Sequence, residues 1–145
     1  MRSNEESRSL MSDQSEATGE SLDTAVTVSR SVSKPLKSVW VTLMGPAGAE
    51  ALLGPGGQIT EKGHVWRAAD GAHGVTRSFH PLEQIRFSWH KDDDDPASLV
   101  DVRLAAEGDG TLLSIRHENL HEGADREWLR QRWTEALERI DEATA

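Results

Sequence analysis

Cysteine is absent from the chain, which removes disulfides, thiolate metal sites and a cysteine nucleophile together and makes a reducing cytoplasm the expected location. Long apolar runs are absent as well. No stretch of 18 residues is continuously hydrophobic, and the opening Met1-Arg2-Ser3-Asn4-Glu5-Glu6 lacks the apolar segment of a signal peptide, so no membrane partner is expected. Basic charge is in short supply. With 16 Lys and Arg against 25 Asp and Glu, the net charge is −9, which opposes the phosphate neutralisation that sequence-independent nucleic-acid binding depends on. No nucleic-acid partner is expected either. Gly54-Pro55-Gly56-Gly57 is not a phosphate loop, because no Lys-Ser/Thr follows it and no helix opens on it. The run Asp92-Asp93-Asp94-Asp95 lacks the alternating ligands and central glycine of a calcium loop and reads as a solvated hairpin turn.

What is present divides the chain in two. Residues 1–23 carry six acidic and two basic side chains among Ser and Gln, with Leu10, Met11 and Leu22 as their few apolar groups. Such a segment cannot bury enough surface to offset its ordering entropy, so a disordered tail is expected. From residue 24 to 145 the pattern is that of one folded domain. Val26, Val28 and Val32 alternate with polar residues and predict a strand, with Arg30 on the apolar parity. Leu36, Val39, Trp40 and Leu43 lie on one helical face between Pro35 and Met44, and a second short helix is expected over Ala47 to Leu53. Strands are predicted near Gln58 to Glu61, His64 to Ala69, Gly74 to His80, Gln84 to His90, Ser98 to Ala106 and Gly110 to Asn119. Their short, turn-rich connections make the sheet antiparallel. A last helix, about Asp125 to Glu142, has Asp125 as N-cap and carries Leu129, Trp133, Ala136, Leu137 and Ile140 on one stripe. Strands followed by a long helix that must cover a sheet face define an α+β fold.

One motif needs a decision. His117-Glu118-Asn119-Leu120-His121 matches H-E-x-x-H, in which two imidazoles one helical turn apart hold Zn²⁺ and the Glu activates water. Leu113, Ile115 and His117 share one parity, however, with Ser114, Arg116 and Glu118 on the other, which is a half-buried strand. Residues four apart on a strand are separated by roughly 13 Å, beyond the reach of one ion. The preferred reading is a strand histidine beside a polar turn, with no metal and no cofactor.

Several segments together carry a resemblance. They are Pro35-x-x-x-Val39-Trp40-x-x-Leu43 after the first strand, Gly74-Val75 to Phe79-x-Pro81, Ile85-Arg86-Phe87-Ser88-Trp89, Gly110-Thr111-Leu112-Leu113-Ser114-Ile115-x-His117-x-x-Leu120, and Trp133-x-x-x-Leu137. In this order the chain resembles the SRPBCC or START-like helix-grip superfamily, and within it the branch related to the activator of Hsp90 ATPase. The resemblance spans nearly all of residues 24–145. It implies a curved antiparallel sheet wrapped around the long C-terminal helix, two short helices after the first strand, and a cavity between sheet and helix.

Strand parity supplies a candidate lining for that cavity. Phe87 and Trp89 share a face with Ile85, and Leu104 follows on the next strand with Val100 and Val102. Ile115 and His117 come from the last strand, Trp66 from an earlier one, and Trp133 and Leu137 from the helix. Arg30 is a candidate anchor for an anionic ligand group, although snorkelling from the sheet edge or pairing with an acidic neighbour is the preferred reading. An aromatic space with few polar groups suits a small apolar molecule bound without catalysis. The resemblance implies an alternative, a chaperone-interacting module. An enzyme stands third, either zinc-dependent through His117, Glu118 and His121 or cyclase-like with His117 as base.

Overall fold

The computed structural model describes residues 25–145; the Ser- and acid-rich segment 1–23 lies outside them. The order of elements is β1 (Val26–Val32), α1 (Leu36–Met44), α2 (Pro46–Leu53), β2 (Val65–Arg67), β3 (His73–His80), β4 (Gln84–Trp89), β5 (Ser98–Glu107), β6 (Gly110–Glu118) and α3 (Arg126–Ala143). The six strands form one antiparallel sheet in the order β1-β6-β5-β4-β3-β2. The first strand therefore pairs with the last, Val28 opposite Ile115, and the hairpins β3 to β6 fill the middle. The fold is α+β, with α3 packed against the sheet, as expected.

Local chemistry explains the breaks. Gly45-Pro46 separates the two short helices: Gly45 closes α1 through its N–H, while Pro46 opens α2 at a position where the missing N–H is harmless. Asp125 caps α3 by accepting the Trp128 N–H at 3.0 Å. Leu129, Trp133, Ala136, Leu137 and Ile140 form its buried stripe. They face the inward parities of the strands: Ile85, Phe87 and Trp89 on β4, Val100, Val102 and Leu104 on β5, and Leu113, Ile115 and His117 on β6, all buried. The opposite face is a charged ladder, where Asp101 accepts from Gln84 Nε2 at 2.7 Å and from Arg103 Nε at 3.0 Å. No helix among the described residues is long and apolar enough to cross a membrane.

Two strand expectations are corrected. Gln58 to Glu61 is not a strand; it runs as irregular chain with Ile59 buried as a plug. It pairs with no strand, and the chain regains the sheet only where the Gly63 N–H reaches Thr76 O at 2.7 Å. The expected His64–Ala69 strand shortens to Val65–Arg67, because Ala68 N turns back to Ala72 O in the Asp70-Gly71 turn.

Candidate functional site

The inward parities of β4, β5, β6 and α3 converge on three aromatic rings. The His117 ring lies 5.1 Å from Trp89 and 5.7 Å from Trp133, centroid to centroid, with edge-on geometry at both, and Trp89 stands 6.3 Å from Trp133. Trp66 and Phe87 form a second edge-on pair at 5.8 Å. Leu104, Ile115 and Leu137 complete the same buried cluster. Of the residues expected to face one another, only Arg30 stands apart. Its Nε donates to Asp141 Oδ2 at 2.8 Å, and Lys34 Nζ donates to Asp141 Oδ1 at 2.7 Å. Asp141 thus ties β1 and the following turn to the last turn of α3, and Arg30 is held in that pair and not in the aromatic cluster.

His117 is fully buried, and both of its ring nitrogens are engaged. Trp133 Nε1 lies 3.1 Å from Nδ1, and Ser98 Oγ lies 2.7 Å from Nε2. An indole nitrogen can only donate, so Nδ1 must be the acceptor and Nε2 must carry the proton. Nε2–H then donates to Ser98 Oγ, and the Ser98 hydroxyl donates in turn to Trp89 O at 3.0 Å. The relay Trp133 to His117 to Ser98 to Trp89 O leaves none of its donors or acceptors unmet. Burial pushes the His117 pKa down to about 4, with the positive charge of Arg132 adding to the effect and Asp95 opposing it. A neutral imidazole whose lone pair is already taken is poorly placed to act as a general base at neutral pH.

The zinc arrangement meets a geometric obstacle. His117 belongs to β6, opposite Val26 and Val100, whereas His121 lies in the following turn, past Asn119 at φ 62°, with its Nε2 3.1 Å from Asp95 Oδ1. The two imidazoles do not share a helix face, and among the described residues no three His, Asp or Glu side chains gather as metal ligands.

A cleft of about 260 Å³ opens at the margin of the cluster, between the β4–β5 turn and the β6–α3 turn. Trp89 and Ser98 line its inner side, Leu129 and the half-exposed Trp128 its wall, and the His121–Asp95 hydrogen bond spans its rim. Lys91 Nζ sits 4.5 Å from the Trp128 ring centroid. Arg132, one turn after Trp128, lays its guanidinium 5.1, 5.5 and 5.8 Å from the ring centroids of Trp133, Trp89 and Trp128.

Ser98 and Arg132 were not among the candidates drawn from the sequence. Ser98 could have been found by extending the parity of Leu104, Val102 and Val100 back by one more inward step. Arg132 is three residues from Leu129 and four from Trp128, a spacing that sets it on the flank of the buried stripe.

A model of the family described as activator of Hsp90 ATPase homolog 1-like protein matches residues 31–145. No curated protein matches the chain in sequence. Among solved structures, DynU16, a protein of the dynemicin biosynthetic locus, superimposes with a TM-score of 0.70 at 20% identity, over 83% of this chain and 46% of that one. The chain therefore spans about half the length of DynU16. CalU16 from Micromonospora echinospora gives a TM-score of 0.69 at 25% identity, covering 81% of this chain and 71% of its own. The Aha1 dimer from Colwellia psychrerythraea gives 0.68 at 14% identity, covering 83% and 96%. The matches to DynU16 and Aha1, at 20% and 14% identity, are likenesses of fold.

Proposed function

The chain belongs to the family of activator of Hsp90 ATPase homolog 1-like proteins, and on that premise we propose that it binds a small apolar molecule, without transforming it, between the sheet and α3. The lining is Trp66, Phe87, Trp89, Leu104, Ile115 and His117, with Trp133 and Leu137 above, and the cleft beside Trp128 is the way in. The observation that carries this reading is that cleft, which joins solvent to the aromatic cluster at Trp89 and Ser98. Its volume is at the small end of ligand pockets, so the ligand is small or the turns on either side must part. The closed relay at His117 supports binding over chemistry, since it holds the imidazole neutral and occupied. The origin of DynU16 in a biosynthetic locus is in keeping with small-molecule handling.

The test is a tryptophan-fluorescence screen against small apolar molecules, aromatic and aliphatic. Saturable quenching with a shared competition profile is expected. A panel that gives no saturable response removes the reading.

A second reading, a chaperone-interacting module, draws on the family and on the likeness to Aha1. An exposed apolar groove of about 630 Å³ favours it, lined by Pro35, Val41, Pro46, Ala47 and Ala143, with Val41 62% exposed. Pull-down with a cytoplasmic Hsp90-type chaperone and an ATPase assay would test it. Absence of binding at micromolar protein counts against it.

A further inference from the structure

Two histidines outside the aromatic cluster face each other at the end of the sheet where β3 begins and β4 stops. His73 N donates to His90 O at 3.1 Å and His90 N to His73 O at 2.8 Å, so the two form a hydrogen-bonded antiparallel pair whose side chains leave one face side by side. That face is turned away from α3, since His90 follows the buried Trp89 and His73 precedes Gly74, whose Cβ direction meets the buried Trp66. The imidazoles stack with their planes 3° from parallel and their centroids 4.6 Å apart.

Both rings hold the same tautomer. His73 Nδ1 lies 3.2 Å from Gly71 O, and His90 Nδ1 lies 2.9 Å from Asp95 O. A carbonyl oxygen only accepts, so in the neutral ring each Nδ1 carries the proton and each Nε2 keeps its lone pair. Neither Nε2 has a hydrogen-bond partner among the described residues, and neither is among the buried polar atoms left without one, which belong to Trp66, Trp89, Arg126 and Arg132. Both lone pairs therefore open to solvent. An imidazole that donates Nδ1–H to a main-chain carbonyl and offers Nε2 outward is a metal ligand with its outer hydrogen bond already made. Here two such rings are in contact. The turn after His90 supplies a field of the matching sign: Asp92, Asp93, Asp94 and Asp95 outnumber Lys91 and Arg67, and Asp93 Oδ1 stands 3.8 Å from His73 Nδ1 and 3.6 Å from Arg67 Nη1.

We propose that His73 and His90 together bind one divalent transition-metal ion through their Nε2 atoms, with water in its remaining positions. Imidazole suits Cu²⁺, Ni²⁺ and Zn²⁺, and the Irving–Williams order puts Cu²⁺ first. Two bonds of about 2.0–2.1 Å set their nitrogens roughly 3–4 Å apart, which the stacked rings reach by tilting about their soft χ2 torsions. Because no three His, Asp or Glu side chains gather among the described residues, this is a two-ligand surface site that exchanges its ion with solvent, unlike a closed four-ligand structural site. It lies on the other face of the sheet from the cleft and stands whether or not the ligand-binding reading does.

The test is titration of the full chain with CuCl₂, ZnCl₂ and MgCl₂ near pH 7, followed by calorimetry, with electron spin-echo modulation of the Cu²⁺ form to count bound imidazoles. One Cu²⁺ per chain held by two imidazoles is expected, with Zn²⁺ weaker and no response to Mg²⁺. His73→Gln and His90→Gln, each checked by near-ultraviolet circular dichroism, are expected to weaken Cu²⁺ binding at least about tenfold and to leave one imidazole in the signal. His64→Gln and His121→Gln are expected to change neither. A Cu²⁺ signal from one imidazole or none in the unmodified protein overturns the proposal without recourse to any variant. It is equally overturned if His73→Gln or His90→Gln binds as tightly as the parent, or if the His64 and His121 variants lose as much.

Discussion

The indole N–H of Trp133 meets Nδ1 of His117 across 3.1 Å, and that contact decides which nitrogen of a buried imidazole carries the proton. Folded, His117 titrates at about 4; unfolded, it should titrate near 6.5. Between those values the unfolded chain binds a proton that the folded chain refuses, so stability falls as pH drops from about 6.5 and levels off below about 4. The loss across the window is about 3 kcal/mol. Urea denaturation at pH 7, 6 and 5 checks this above the carboxylate range, and His117→Gln is expected to flatten that part of the curve. A profile in the unmodified protein that is already flat from pH 6.5 to 5 would refute the assignment.

Removing the donor tests the relay from its other end. Trp133→Phe keeps a ring in the core and leaves Nδ1 as a buried acceptor with nothing to accept, at a cost of about 1–3 kcal/mol before any loss from the smaller ring. The hydrogen bond it deletes favours the neutral imidazole, so the His117 pKa should rise toward its unfolded value. Nitrogen-15 shifts of the imidazole read both the tautomer and the titration. An unchanged pKa would mean that burial alone holds the ring neutral.

How much of this was legible in the sequence depends on the range of the interaction. The alternation of Leu113, Ile115 and His117 was sufficient to set the H-E-x-x-H letters on a strand, because parity is a local property of an extended chain. The helix stripe and the Asp125 cap were legible for the same reason. The partners of His117 were not, since Ser98 and Trp133 lie 19 and 16 residues away and meet it only through the β5–β6 register and the seating of α3. Gln58 to Glu61 misled because Ile59 between polar neighbours looks like a strand, whereas a strand also needs an edge to pair with. Trp128 sits at the cleft mouth 40% exposed, with Lys91 over its ring.

Two glycines separate crowding from conformation. A Cβ at Gly74 would run into the Ser88 carbonyl and stand 2.9 Å from Trp66 Nε1, so β3 and β4 would have to part where Val75 N donates to Ser88 Oγ at 2.9 Å. Gly74→Ala is expected to cost about 3 kcal/mol. Gly63 has φ 90° but open space around its Cβ direction, so Gly63→Ala should cost only about 1 kcal/mol from the left-handed backbone. Chemical denaturation ranks the pair, and a Gly74→Ala variant no less stable than Gly63→Ala would contradict the close approach.

Asp141 is an acid in the last turn of α3, where the helix dipole disfavours negative charge, and it is tolerated because Lys34 and Arg30 both donate to it. Those two hydrogen bonds hold its pKa below the ordinary carboxylate value, that of Lys34 foremost, with burial opposing. A depressed folded-state value means stability that is present above the unfolded pKa and lost as pH falls through the folded one. The Arg30 side chain is 40% exposed, so solvent screens part of the attraction and Asp141→Asn should cost about 1 kcal/mol at neutral pH. Salt should narrow the gap between variant and parent, and acid should close it as the parent's carboxylate takes up its proton. Thermal melts at low and high ionic strength, at pH 7 and pH 3, make the comparison. An Asp141→Asn protein as stable as its parent at pH 7 and low salt would show that the three-residue tie between β1 and α3 contributes nothing net.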